Sequence, residues 1–138
     1  RWGYNFTGWH EHIAMPSPVT NSTVITGNKT IFAQWSAATW IINLNTNYQG
    51  NISYGGQEYY FKFTPSATKD YTITNNSSPY PIIVLIYDNN GNWMPGAMKM
   101  LLTGENMVYG LSSGNTYYIG TKYAGPLTSI GLFNIKVN

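Results

Sequence analysis

Trp93 follows the run Asp88-Asn89-Asn90-Gly91-Asn92 and precedes Pro95 and Gly96, so its indole is expected on a loop, where core packing explains a large ring poorly. Asn90 and Asn92 beside it supply short amide groups. A saccharide presents a face of C–H groups and a rim of hydroxyls, so holding one takes a flat aromatic plus short polar side chains that replace water. Tyr54 with Gln57 offers the same pairing, and Trp40 and Tyr123 complete the set of candidate ligand-binding residues. The alternative is that these rings, with Tyr48 and Tyr80, cap the ends of a β-sandwich.

Other chemistry is weighed on the same terms. Five carboxylates, Glu11, Glu58, Asp70, Asp88 and Glu105, allow a glycosidase pair by count. Their placement at expected strand ends and turns gives them structural work instead, and no catalytic residue is assigned. The chain contains no phosphate loop and no cysteine nucleophile. In an extended Trp9-His10-Glu11-His12 the two imidazoles would share a face, a metal clamp wanting a third ligand. The turn at Asp88 has one carboxylate, whereas a calcium loop gathers about six to eight oxygens, so a hairpin turn is expected. Neither a metal nor a cofactor is expected.

The elements that must position these residues are strands. Aromatic residues make up 16% of the 138 and charged residues 9%, with Gly 14, Pro 7 and Cys 0. Such a chain buries enough surface to offset its entropy, which excludes disorder. A formal charge of +2 provides no field for a phosphate backbone, which argues against nucleic acid. Without cysteine there is no disulfide framework and no thiolate zinc site. Abundant Thr, Asn, Tyr, Ile and Val select strands joined by turns. No run approaches the roughly 20 apolar residues of a membrane helix, so no membrane partner is expected. Arg1 does not open a signal peptide, and the chain reads as a mature or excised piece of something longer.

In the first third, Gly3-Tyr4-Asn5-Phe6-Thr7-Gly8-Trp9 leads through a polar, proline-interrupted stretch to a turn at Gly27-Asn28. A strand follows in which Ile31, Ala33 and Trp35 share a face. This segment, residues 1–36, resembles the later part of a Listeria-Bacteroides repeat, with its Gly-Tyr-x-Phe-x-Gly-Trp hallmark and a closing Thr-x-Asn-x-Thr-Leu-Tyr-Ala-x-Trp strand, Ile31-Phe32 standing for Leu-Tyr. The resemblance implies that Tyr4, Phe6, Trp9 and Trp35 are core and that His10 and His12 lie in a variable loop as exposed polar residues. The repeat's opening strand has no counterpart before Tyr4.

After a small-residue joint at 36–39, strands are expected near 40–44, 50–53, 58–64, 70–75, 82–87, 98–102, 106–111, 117–122 and 131–137, the spacing of a sandwich. Tyr59, Phe61 and Phe63 alternate inward, as do Phe133, Ile135 and Val137. Glu58-Tyr59-Tyr60-Phe61-Lys62-Phe63-Thr64, Leu85-Ile86-Tyr87-Asp88-Asn89-Asn90-Gly91 and Leu111-x-x-Gly114-Asn115-Thr116-Tyr117-Tyr118-Ile119, in that order, make residues 38–138 similar to a bacterial pre-peptidase C-terminal domain. That resemblance implies a jelly-roll β-sandwich beside the catalytic domain of a secreted hydrolase, with no catalytic residues of its own. The expectation is an all-β, non-catalytic carbohydrate-binding module, secreted or on a bacterial surface. Its partners would be a polysaccharide and a parent multidomain hydrolase in cis, and the module itself a monomer. The alternative is a spacer or adhesion module that binds protein or cell-wall polymer.

Overall fold

The computed structural model describes residues 4–12, 17–37 and 40–138. Gly3 of the hallmark and Ala38 and Thr39 of the joint lie outside the described residues. The strands are β1 (Tyr4–His10), β2 (Phe32–Ala37), β3 (Asn47–Ile52), β4 (Tyr59–Phe63) and β5 (Lys69–Ser77), then β6 (Ile82–Tyr87), β7 (Trp93–Leu101), β8 (Asn106–Leu111), β9 (Tyr117–Tyr123) and β10 (Gly131–Val137). β1 and β2 form an antiparallel pair. The other eight make two four-stranded sheets, ordered β3-β10-β5-β8 and β4-β9-β6-β7.

That order is nested. The outermost strands in sequence, β3 and β10, pair in one sheet and β4 and β9 in the other, then β5 with β8 and β6 with β7. This is the jelly roll expected from the sequence. Alternation fills the space between the sheets: Tyr71, Ile73, Phe133, Ile135 and Val137 from one sheet meet Phe61, Ile82, Val84, Ile86 and Ile119 from the other, all fully buried. Phe61 meets Phe133 edge-on with centroids 6.0 Å apart, and Phe63 meets Tyr71 at 5.1 Å, so ring quadrupoles add to the area buried.

Two expected elements come out differently. Residues 40–44 make no ladder; Ile41 forms a single parallel bridge to Lys62, because the Lys62 N–H donates to the Trp40 carbonyl and Ile42 N–H to the Lys62 carbonyl. β7 begins at Trp93 rather than 98, so Trp93 is a strand residue opposite Tyr87, and the register slips between Leu85 and Tyr87 to absorb Pro95 and Gly96.

The edge of β4 explains why the first strands stay with the sandwich. Its outward N–H groups would face water or another chain. Here Tyr60 N–H donates to Asn5 Oδ1 at 3.0 Å, and Lys62 N–H takes the Trp40 carbonyl. Asn5 is buried, and it holds β1 against the edge.

Candidate ligand-binding face

The β1–β2 pair owes its aromatic face to one extra residue. In a regular strand Phe6 and Trp9, three apart, would point to opposite sides. The register slips between Phe6 and Gly8, so Phe6 pairs with Trp35 and Trp9 with Ala33, and all four share a face. Gly8 holds a φ of +145°, a conformation that L side chains rarely adopt. Phe6 is the hub: its ring meets Trp9 at 5.5 Å, Trp35 at 5.3 Å and Tyr54 at 5.2 Å, each edge to face. Tyr54 comes from the β3–β4 loop, where Gly55 passes so close to the Leu127 carbonyl that any Cβ would overlap it.

These rings and Ala33 line an open cleft of about 420 Å³ between the strand pair and the sandwich. Its wall is almost wholly apolar, yet Trp9 stays 47% exposed and Tyr54 41%. Phe6 and Trp35 are half-buried and Trp9 is open, so the hallmark aromatics do not form the closed core that the repeat resemblance implied. Burial raises the Tyr54 phenol above its ordinary range, keeping it a neutral hydrogen-bond donor.

A polar cluster lies beyond Tyr54 on the outer face of the β4-β9-β6-β7 sheet. Tyr87 donates its hydroxyl to Glu58 Oε1 at 2.8 Å, and Lys122 Nζ lies 4.0 Å from Glu58 Oε2. The Tyr60 and Tyr87 rings are 6.0 Å apart. Burial first, then the Glu58 carboxylate and the Tyr54 phenol, push the Tyr60 hydroxyl far up. Burial and the bond to Glu58 do the same to Tyr87.

The residues singled out from sequence scatter across the fold. Trp93 is 50% exposed, faces outward beside Tyr87 and turns its Nε1–H toward the Ala97 carbonyl at 3.4 Å. Asn90 and Asn92 are exposed, but their backbone N–H groups both donate to Asp88 Oδ1, and Asn92 Nδ2 donates to Oδ2. The Asn92 side chain, then its backbone N–H, hold the Asp88 carboxyl below its ordinary range. Gln57 is only 3% exposed, and its Oε1 accepts from Ser53 N–H at 2.7 Å and Ser53 Oγ at 3.0 Å, which closes the turn below Tyr54. Tyr123 is 8% exposed and donates to the Leu132 carbonyl, with its ring against Tyr80 and Phe133. Trp40 is half exposed at the β4 edge. Tyr54 alone among the seven lines the cleft.

Sequence reasoning passed over Trp9, Phe6 and Trp35 as ligand groups, and Glu58 with Tyr87. The signal available was Gly8 directly before Trp9, since a glycine inside a strand pattern marks a bulge that re-aims the next side chain. β1 ends at His10, whose Nδ1 accepts from Ser17 N–H, and Glu11 between the imidazoles pairs with Lys29. Among the described residues no three His, Asp or Glu side chains gather in metal-binding reach.

No protein-family model matches the chain, and no curated protein matches it in sequence. The fold is similar to the pre-peptidase C-terminal domain of a collagenase from Bacillus anthracis, with a TM-score of 0.56 and 16% identity, covering 72% of this chain and 93% of that one. A weaker likeness, with a TM-score of 0.47 and 10% identity over 72% of this chain and 95% of the other, is to PliG of Aeromonas hydrophila, a periplasmic inhibitor of g-type lysozyme. The first is a likeness of fold alone.

Proposed function

We propose that this chain is a non-catalytic carbohydrate-binding module of a secreted bacterial polysaccharide-degrading protein. The cleft of Phe6, Trp9, Trp35 and Tyr54 carries the reading: an indole and a phenol, each nearly half exposed, held by edge-on contacts to one buried-side ring. Rings fixed in this way stack on sugar C–H faces without losing side-chain freedom on binding. Trp93 offers a second exposed platform on β7, the edge of the β4-β9-β6-β7 sheet opposite β4, three strand spacings or about 14 Å from it.

Four of the carboxylates are occupied in ways that support a non-catalytic role. Glu11 pairs with Lys29, Asp88 caps its own turn, Glu105 accepts from Leu102 N–H, and Glu58 accepts from Tyr87. A sandwich of this fold forms part of a collagenase, which supports attachment to a larger hydrolase. The repeat-like reading of residues 1–36 belongs to the same proposal, with the bulged strand pair as the added wall of the site.

Affinity electrophoresis through soluble glycans tests the reading. Retardation by at least one polysaccharide without release of reducing sugar is the expected result. Trp9→Ala should then weaken retardation about tenfold or more, as loss of a desolvated aromatic anchor does. The apolar cleft wall favours a second reading, a spacer or adhesion module that receives an apolar side chain from a protein partner. Absence of retardation in every glycan would select it.

A further inference from the structure

The outer face of the sheet holds groups that neither the core nor the cleft uses. Continuing the antiparallel register one residue past Tyr59↔Thr121 sets Glu58 opposite Lys122. The two lie at 4.0 Å, too far for a hydrogen bond, so the Lys122 ammonium keeps its donors and Glu58 Oε2 its lone pairs. Oε1 is already fixed by the Tyr87 hydroxyl at 2.8 Å. The glycine beneath makes this possible: a Cβ at Gly120 would overlap Glu58 Oε1 and come within 3.0 Å of the Tyr87 ring. Carboxylate and phenol thus lie flat across β9, and the carboxylate is aimed before any ligand arrives.

We infer that Glu58, Lys122 and Tyr87 form a polar subsite that reads two adjacent hydroxyls of a neutral sugar, next to the ring stacked in the Trp9–Tyr54 cleft. This rests on the carbohydrate reading above. One hydroxyl donates to Glu58 Oε2 and its neighbour accepts from Lys122 Nζ, a division of labour that adjacent hydroxyls satisfy because each both donates and accepts. Glu58 and Lys122 together carry no net charge, so the pair gives no excess attraction for a uronate or an amino sugar over a neutral one. β1 docks on β4 through the Asn5–Tyr60 bond and the Tyr60 ring meets that of Tyr87 at 6.0 Å, so cleft and subsite share one edge of the sheet.

Isothermal titration calorimetry of the full chain, with β-glucan, xylan and galactomannan as neutral probes and polygalacturonate as the anionic one, decides the matter. We expect a neutral glycan to bind and Lys122→Met and Glu58→Gln each to lower its affinity about ten- to a hundredfold, the range for losing a charged hydrogen-bond partner. Gly120→Ala deletes no ligand-touching group but displaces the carboxylate, and should lower affinity comparably. Unchanged affinity in Lys122→Met and Glu58→Gln, with Trp9→Ala still weakened, overturns the subsite and leaves the cleft standing. Preference for polygalacturonate overturns the neutral-sugar assignment. Binding to none of the probes overturns subsite and carbohydrate reading together.

Discussion

Asn5→Ala tests the joint on which the cleft depends. Asn5 Oδ1 is the acceptor for the Tyr60 N–H, and both residues are buried. Alanine removes the acceptor and leaves a buried donor unpaired, at a cost of roughly 1 to 3 kcal/mol. The sandwich need not unfold to relieve this, because undocking of β1 and β2 exposes the amide to water. The cost should therefore fall on local docking rather than on global stability. At about 1.4 kcal/mol per factor of ten, native-state hydrogen exchange of the Tyr60 amide should quicken about five- to a hundredfold. Core amides of β5 and β10 should keep their protection. Asn5→Asp retains an oxygen acceptor and should exchange far more slowly than the alanine variant. Tyr60 protection equal to wild type in Asn5→Ala would refute the joint, and an equal loss at β5 and β10 would show that the strand pair and sandwich open as one unit.

Gln57→Ala should lower stability by roughly 0.5 to 1.5 kcal/mol in urea unfolding, since the buried amide it removes is the acceptor for the Ser53 N–H and hydroxyl; a change within experimental error would show that the turn finds another acceptor. Alkaline pH should destabilise the fold. The Tyr60 and Tyr87 phenols sit above their unfolded value of about 10, so their contribution is fully present below pH 10 and is lost as the unfolded chain ionises more readily than the native one. The urea midpoint should fall as the pH rises above about 10, and less steeply in Tyr87→Phe; parallel curves for the two proteins would contradict the burial of that hydroxyl.

Most of the sandwich was legible because its strands alternate cleanly. The bounds expected for 82–87, 106–111 and 131–137 coincide with β6, β8 and β10, where inward Ile, Val, Met, Leu and Phe residues recur every second position between turn-forming Asn, Gly and Pro. The failures occur where pairing, not propensity, decides. Residues 40–44 read as a strand from Trp40, Ile41 and Ile42, but the neighbouring edge of β4 accepts only a short parallel bridge there. Trp93-Met94-Pro95-Gly96 reads as loop from its proline and glycine, but an edge strand tolerates both at a bulge, and Met94 still packs on the core while Trp93 faces out.

The candidate site was less legible for a different reason. Its rings are far apart in sequence, and Tyr54 reaches Phe6 only because Asn5 docks on Tyr60 and Gly55 lets its loop press against Leu127. Neither contact leaves a local pattern. A period-two reading of 4–9 also sends Trp9 to the face opposite Phe6, and only the bulge at Gly8 brings them together. A side chain at Gly8 would be strained at its present φ, and restoring regular pairing would turn Trp9 away from Phe6 and Ala33. The glycine that precedes the tryptophan thus determines whether this face is an aromatic cleft or an ordinary two-sided strand pair. A residue with no side chain governs the site more than any ring that lines it.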